Sequence, residues 1–166
     1  MYIQNENELY NVIIGEKNEI ASKEKIDYSA KIMSIISNDT LLSSKLSSEA
    51  KSLIEKYIKL LYRYYSLNSF STPIVKLKEQ DEIYIGEDDN NKKNGIGVVI
   101  TQTSTKNLIY IGYHIDNKRS HYGIVLSHSL CPIYIGSFYN GEYSGYGELT
   151  TPKYKYQGYF SSGVPH

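Results

Sequence analysis

Four tyrosines, each followed two residues later by glycine, recur through the second half of the chain. They are Tyr84-Ile-Gly86, Tyr110-Ile-Gly112, Tyr134-Ile-Gly136 and Tyr156-Gln-Gly158, at steps of 26, 24 and 22 residues. Self-similarity at such a period marks a repeat architecture, in which each unit buries its surface mainly against its neighbours. A second glycine pattern follows within the units. Gly95-Ile-Gly97 follows the first tyrosine, Gly123 the second, and Gly141, Gly145 and Gly147 the third; Gly163 follows the fourth. Glycine divides the chain, since only Gly15 precedes Gly86.

Strand geometry explains the spacing. Residues two apart share a face, so Tyr84 and Gly86 lie on one side, as do Gly95 and Gly97, while Ile85 and Ile96 point the other way. Glycine is costly in a strand and marks a close approach or a bend. A Gly-x-Gly strand beside a Tyr-x-Gly strand leaves a trough of bare backbone over which a tyrosine ring can lie flat, fixing the register by shape. Each unit is therefore read as a β-hairpin, and the units as an elongated twisted sheet.

The motif resembles the MORN repeat. The third unit carries it most completely, in Tyr134, Gly136, Phe138, Gly141, Gly145 and Gly147; the fourth has Tyr156, Gly158, Phe160 and Gly163. In the second unit His121 stands where the first glycine of Gly-x-Gly belongs, and there it would fill part of the groove. The resemblance covers residues 82–166 and leaves the first half unassigned. It implies a non-catalytic scaffold or adaptor of the cytoplasm, associated with cytoskeleton or membranes in some relatives, whose groove takes a helix or peptide from a protein partner. The same resemblance admits an accessory region of a larger enzyme, with any activity beyond His166.

The first half reads as helical. Ile26, Ala30, Met33 and Ile36 follow helical spacing over 22–37, with Ser22 as cap and Glu24 in the first turn. Asn38-Asp39-Thr40 fits a glycosylation acceptor, but reads as a helix start leading to Leu42 and Leu46. The strongest helix spans 48–65: Ile54, Tyr57, Ile58, Leu61 and Tyr65 form a stripe, opposite a solvated strip of Lys51, Glu55, Lys59 and Arg63. Leu9 to Ile14 reads as a short strand stopped by Gly15, or as the start of a helix. The Ser-rich run ending at Pro73 marks the boundary, because the residue before a proline leaves the helical region.

The expected fold is thus α+β: a helical region over 1–72, then a hairpin array over 73–166. Alternation at 74–78 gives a strand that caps the array and hides its edge. Further strands are expected at 98–101, 107–112, 122–126, 132–138 and 155–160. The last of these has no complete partner ahead of it, so edge pairing between two copies would give a homodimer.

Composition narrows the functions. Eighteen basic and 18 acidic residues cancel, so no basic footprint for nucleic acid exists. A single cysteine, Cys131, rules out an intramolecular disulfide and fits a reducing compartment. No catalytic motif stands out, and no cofactor or metal is implied. His114, His121, His128 and Cys131 are the nearest approach to a zinc set, but their spacing fits no common pattern and the histidines read as loop residues. Glu87 to Asn91 resembles a calcium loop only superficially and reads as a solvated hairpin loop. Lys92-Lys93 and Lys118-Arg119 make two basic tips. At ~1 kcal/mol per cation near an anionic bilayer, they give marginal membrane binding at best.

Tyrosine is abundant, at 18 residues. Aromatic residues beside glycine troughs suit peptide binding. The candidate groove set is Tyr110, Tyr134, Phe138 and Tyr143, with Tyr146, Tyr156, Tyr159 and Phe160. Plain structural packing is the competing role for each.

Overall fold

A computed structural model describes residues 27–65, 72–127 and 129–166. They form three helices followed by a nine-stranded antiparallel sheet in which every strand pairs with its sequence neighbours. The helices are α1 (Ser29–Asn38), α2 (Thr40–Lys45) and α3 (Ser48–Tyr64). The strands are β1 (Ile74–Glu79), β2 (Glu82–Asp89), β3 (Lys92–Gln102), β4 (Asn107–Ile115), β5 (Lys118–Ser127), β6 (Pro132–Tyr139), β7 (Glu142–Thr150), β8 (Lys155–Ser161) and β9 (Val164–Pro165).

The expected helix over 22–37 starts later. Asp27 and Tyr28 are not helical, and the Asp27 carboxylate instead accepts from the Ser29 amide at 2.8 Å. Ser22, Glu24 and the strand expected at 9–14 lie outside the described residues. The other two helices start where local chemistry directs. Asp39 caps α2 by accepting from Leu42 N at 3.0 Å, and Ser47 caps α3 by accepting from Ala50 N at 3.0 Å. Glu55 and Lys59 on α3 approach to 3.7 Å in the i,i+4 order. Both side chains are well exposed, so the pair adds little.

The hairpins are set by their turns. Asn90-Asn91, Asp116-Asn117, Asn140-Gly141 and Ser162-Gly163 all have positive φ at both residues. That is the backbone of a type I′ turn, whose twist matches the strands it joins, and asparagine, aspartate and glycine tolerate it best. The last three tips also clamp the preceding unit. The Asn117, Gly141 and Gly163 amides donate to the carbonyls of Lys93, Arg119 and Tyr143, at 2.9, 3.0 and 2.9 Å. The cap strand β1 pairs with β2 as expected, with Leu77 opposite Tyr84. At the far end β9 pairs with only the last two residues of β8.

A row of glycines crosses the sheet. Gly86, Gly97, Gly112, Gly123, Gly136, Gly147 and Gly158 are paired one to the next through seven strands. The repeat tyrosines lie over this row. A Cβ added at Gly123 would come within 2.6 Å of the Tyr110 hydroxyl. Each ring is pinned at its far end, since Tyr84, Tyr110, Tyr134 and Tyr156 donate to the carbonyls of Glu87, Tyr113, Ser137 and Tyr159, at 2.5, 2.8, 2.8 and 3.0 Å.

The opposite face carries the isoleucines, and the helices cover it. Ile85, Ile96, Ile111, Ile124 and Ile135 join Ile32, Ile36, Ile54, Ile58 and Leu61 in one core. Helices and sheet are therefore packed together, each such side chain contributing about 1.5–3 kcal/mol by leaving water. Polar groups fix the docking. Glu87 is buried, accepting from Tyr62 Oη of α3 at 2.8 Å, from Ile96 N at 3.0 Å and from Thr72 Oγ1 at 3.2 Å. The expectation of a solvated loop at 87–91 is corrected here. Strand pairing continues to Asp89 and Lys92, and only Asn90 and Asn91 form the turn.

Candidate functional site

Among the described residues, no helix packs on the tyrosine face. Its rings interlock in sequence, each repeat tyrosine meeting edge-to-face the residue four beyond its own or its neighbour's motif. His114 stands 5.1 Å from both Tyr84 and Tyr110; Phe138 is 5.3 Å from Tyr110 and 5.1 Å from Tyr134; Phe160 is 5.2 Å from both Tyr134 and Tyr156. Such contacts add about 0.5–1.5 kcal/mol each beyond burial. The residue across each strand pair then covers the tyrosine. Lys93 lies 5.9 Å over Tyr84, Arg119 5.7 Å over Tyr110, and Tyr143 stacks on Tyr134 at 3.8 Å.

The eight candidate groove residues do not share one surface. Tyr110, Tyr134, Phe138 and Phe160 are buried within this ladder, and Tyr143 and Tyr156 are half-buried against it. Tyr146 packs instead with the isoleucine core, and its ring meets exposed Tyr159 at 5.7 Å. The parity of the strands carries this distinction, because Tyr146 is one residue from Gly147 and Tyr159 one from Gly158. The repeat glycines divide by role as well. Gly95, Gly141, Gly145 and Gly163 have φ of +104°, +89°, +65° and +84°, whereas the row paired across the sheet sits under the rings.

His121 takes the same conformation as Gly95 and Gly145, with φ +55°. Its ring meets Tyr113 at 5.0 Å and Tyr65 at 6.0 Å, on the helix-covered side. The expectation that His121 fills part of the groove is corrected: its ring lies on the opposite, helix-covered face. Among the described residues no group of three or more metal-ligating side chains assembles. His114 and His121 belong to opposite faces, and His128 lies outside the described residues.

The open part of the tyrosine face is a cleft over β2 to β5 with a volume of about 310 Å³. Val99, Leu108, Tyr110 and Val125 supply apolar lining; Lys93, Lys106, Lys118 and Arg119 supply four cations against one acid, Glu82. Lys93 approaches Glu82 at 3.5 Å, Lys118 donates to Asn140 Oδ1 at 3.1 Å, and Arg119 donates to the Gly141 carbonyl at 2.8 Å. The sequence places Lys92-Lys93 and Lys118-Arg119 at basic hairpin tips. The I′ turns confine the tips to two residues each, so all four cations fall on strands; Lys92 and Lys118 stay exposed, while Lys93 and Arg119 turn over the face.

His114 also lines the cleft. It is buried in β4, not in a loop. Its Nδ1 pairs with the Gly95 carbonyl at 3.3 Å, so that nitrogen carries the proton and Nε2 is left as an acceptor. Nε2 has no hydrogen-bond partner. Burial, with the nearby charges of Lys93 and Arg119, pushes the imidazole pKa down to about 3, and the Gly95 bond opposes this only in part. The ring is neutral near pH 7. Sequence spacing offered a signal for it, since His114 stands four residues after Tyr110 just as Phe138 and Phe160 stand four after theirs. Lys106, in the β3–β4 turn, carried no such signal.

No known protein-family model matches the chain, and no curated protein matches it significantly. Among the described residues, no helix is long and apolar enough to cross a membrane.

Proposed function

We propose that this protein is a non-catalytic, MORN-like scaffold that holds a segment of a protein partner on its tyrosine face. The observation that carries this reading is the division of the sheet: helices fill one face, and the other keeps a cleft with apolar lining and a polar rim. A few polar groups around an apolar recess is the usual make-up of a recognition site. The contact surface is centred on half-buried Thr101 and Leu108, above buried Val99 and Val125, with their cationic neighbours. The ladder of rings beneath acts as a rigid platform that fixes the strands in register.

Chemistry at the same place is not part of the proposal. The hydroxyls flanking His114, on Tyr84 and Tyr110, are both donated to backbone carbonyls, and the imidazole is wedged between the two rings. Cytoplasmic residence, beside cytoskeleton or membrane, belongs to the same reading.

The test is site-specific photocrosslinking in the native cell. A benzophenone side chain at Thr101, in the cleft, should give one discrete adduct that a Leu108→Trp filling of the cleft removes. The same group at Gln157, on the other face, should give none. Equal adducts from both positions, or none from Thr101 with the fold intact, would contradict the proposal.

A further inference from the structure

We propose that the segment held in the cleft is acidic, placing a carboxylate among Lys106, Lys118 and Arg119. This deepens the scaffold reading and rests on it.

Charge is the first support. The chain as a whole is neutral, yet four cations line this one recess with a single acid. Glu82 is engaged with Lys93, which leaves Lys106, Lys118 and Arg119 as surplus positive charge. A recess lined by one sign concentrates the field and draws in its counter-charge. Arg119 is held rigidly by the Gly141 carbonyl and by the Phe138 ring 4.9 Å away. A guanidinium so fixed loses little further freedom on accepting a carboxylate.

The imidazole is the second, independent support. In the hairpins that follow, the corresponding slot holds Phe138 and Phe160, which fill it with no polar atom. Histidine there leaves a buried nitrogen unsatisfied, which is a cost to folding. Places where a sequence departs from its own local rule tend to be functional.

The geometry also favours a peptide over a lipid surface. Lys93 is largely covered, with 17% of its side chain exposed, and Arg119 lies folded over two rings. A flat bilayer reaches protruding tips; these two cations are recessed, while Lys106 and Lys118 are exposed.

The probe is an end-blocked, fluorescein-labelled peptide alternating leucine and glutamate, with its leucine–glutamine counterpart as control. Anisotropy is read with the full chain and with a Lys106→Glu, Lys118→Glu variant, both sites being exposed; circular dichroism verifies the variant's fold. The glutamate peptide should bind about ten-fold or more tightly than the glutamine peptide, with the preference shrinking as salt rises and vanishing in the variant. Equal binding of the two peptides, unaffected by charge reversal, would overturn the acidic assignment and leave the scaffold reading standing. Binding of phosphatidylserine vesicles, lost in the variant, with no binding of either peptide would overturn both in favour of a membrane surface. Competition by inorganic phosphate as effective as that of free glutamate peptide would reduce the site to a general anion pocket and overturn the assignment to a peptide. No binding of any probe would overturn both readings.

Discussion

The Tyr62 hydroxyl of α3 donates to Glu87 of β2 across the helix–sheet boundary, at 2.8 Å and buried. Glu87 in turn holds Ile96 N of the next strand at 3.0 Å. Gly95 leaves room for this carboxylate, since a Cβ there would come within 2.8 Å of it. One acid thus ties a helix, a hairpin and the residue before the array into a single piece. Tyr62→Phe should cost about 1.5–3 kcal/mol, the range for a hydrogen bond to a charged group. Urea unfolding checks this. Glu87→Ala should cost more, because it strips partners from Tyr62, Ile96 and Thr72 together.

The glycine row under the rings gives a second expectation. Gly147 pairs with Gly136 and Gly158 beneath Tyr134, whose ring occupies the space a side chain would need. Gly147→Ala should destabilise by about 1–3 kcal/mol through overpacking. Gly141→Ala meets no atom within 4 Å but must hold φ +89°, and should cost about 1–2 kcal/mol through backbone strain alone. Pairing each with Tyr134→Ala separates the causes in thermal melts. The larger cavity should absorb the Gly147 penalty and leave the Gly141 penalty unchanged.

The pH dependence of stability follows from His114. Its folded pKa is about 3, against 6.5 for the free side chain. As pH falls below 6.5 the unfolded chain takes up a proton that the folded chain refuses, so stability falls with pH. The slope approaches about 1.4 kcal/mol per pH unit between the two values. His114→Phe should abolish that contribution and raise stability at pH 7 by about 1–3 kcal/mol, since an unsatisfied buried nitrogen is removed. Chemical denaturation from pH 7 to pH 4 checks both statements. A variant less stable at pH 7, with an unchanged slope, would contradict them.

What the sequence made legible was the part governed by local rules. Tyr-x-Gly and Gly-x-Gly are period-two signals, and they led to hairpins and a linear array, as the alternation at 74–78 led to the cap strand. Asp39 and Ser47 are capping residues by chemistry and mark their helix starts. The array's position beneath the helices was not legible, because it depends on which face of the sheet presents Ile85, Ile111 and Ile135 to α3. Glu87 was misread for a related reason. An acid beside two aspartates and two asparagines looks solvated, and only its distant partner Tyr62 makes it an internal strut. At the candidate site the tyrosines were found but their roles were not. Rings placed against glycine fill the trough they were expected to leave open, so the open cleft moved to Thr101 and half-buried Leu108 above buried Val99, residues that read as ordinary strand. Tyr146 and Tyr159 were recoverable from parity alone.

The account rests most heavily on the tyrosine face being the surface that meets a partner. Amide chemical-shift mapping of the full chain with the leucine–glutamate peptide tests it most directly. The account predicts shifts concentrated at Thr101, Leu108, Lys118 and Arg119, with the Gly95–His114 pair following. Shifts gathered on α1 to α3, or along the outer edges of β1 and β8, would contradict it.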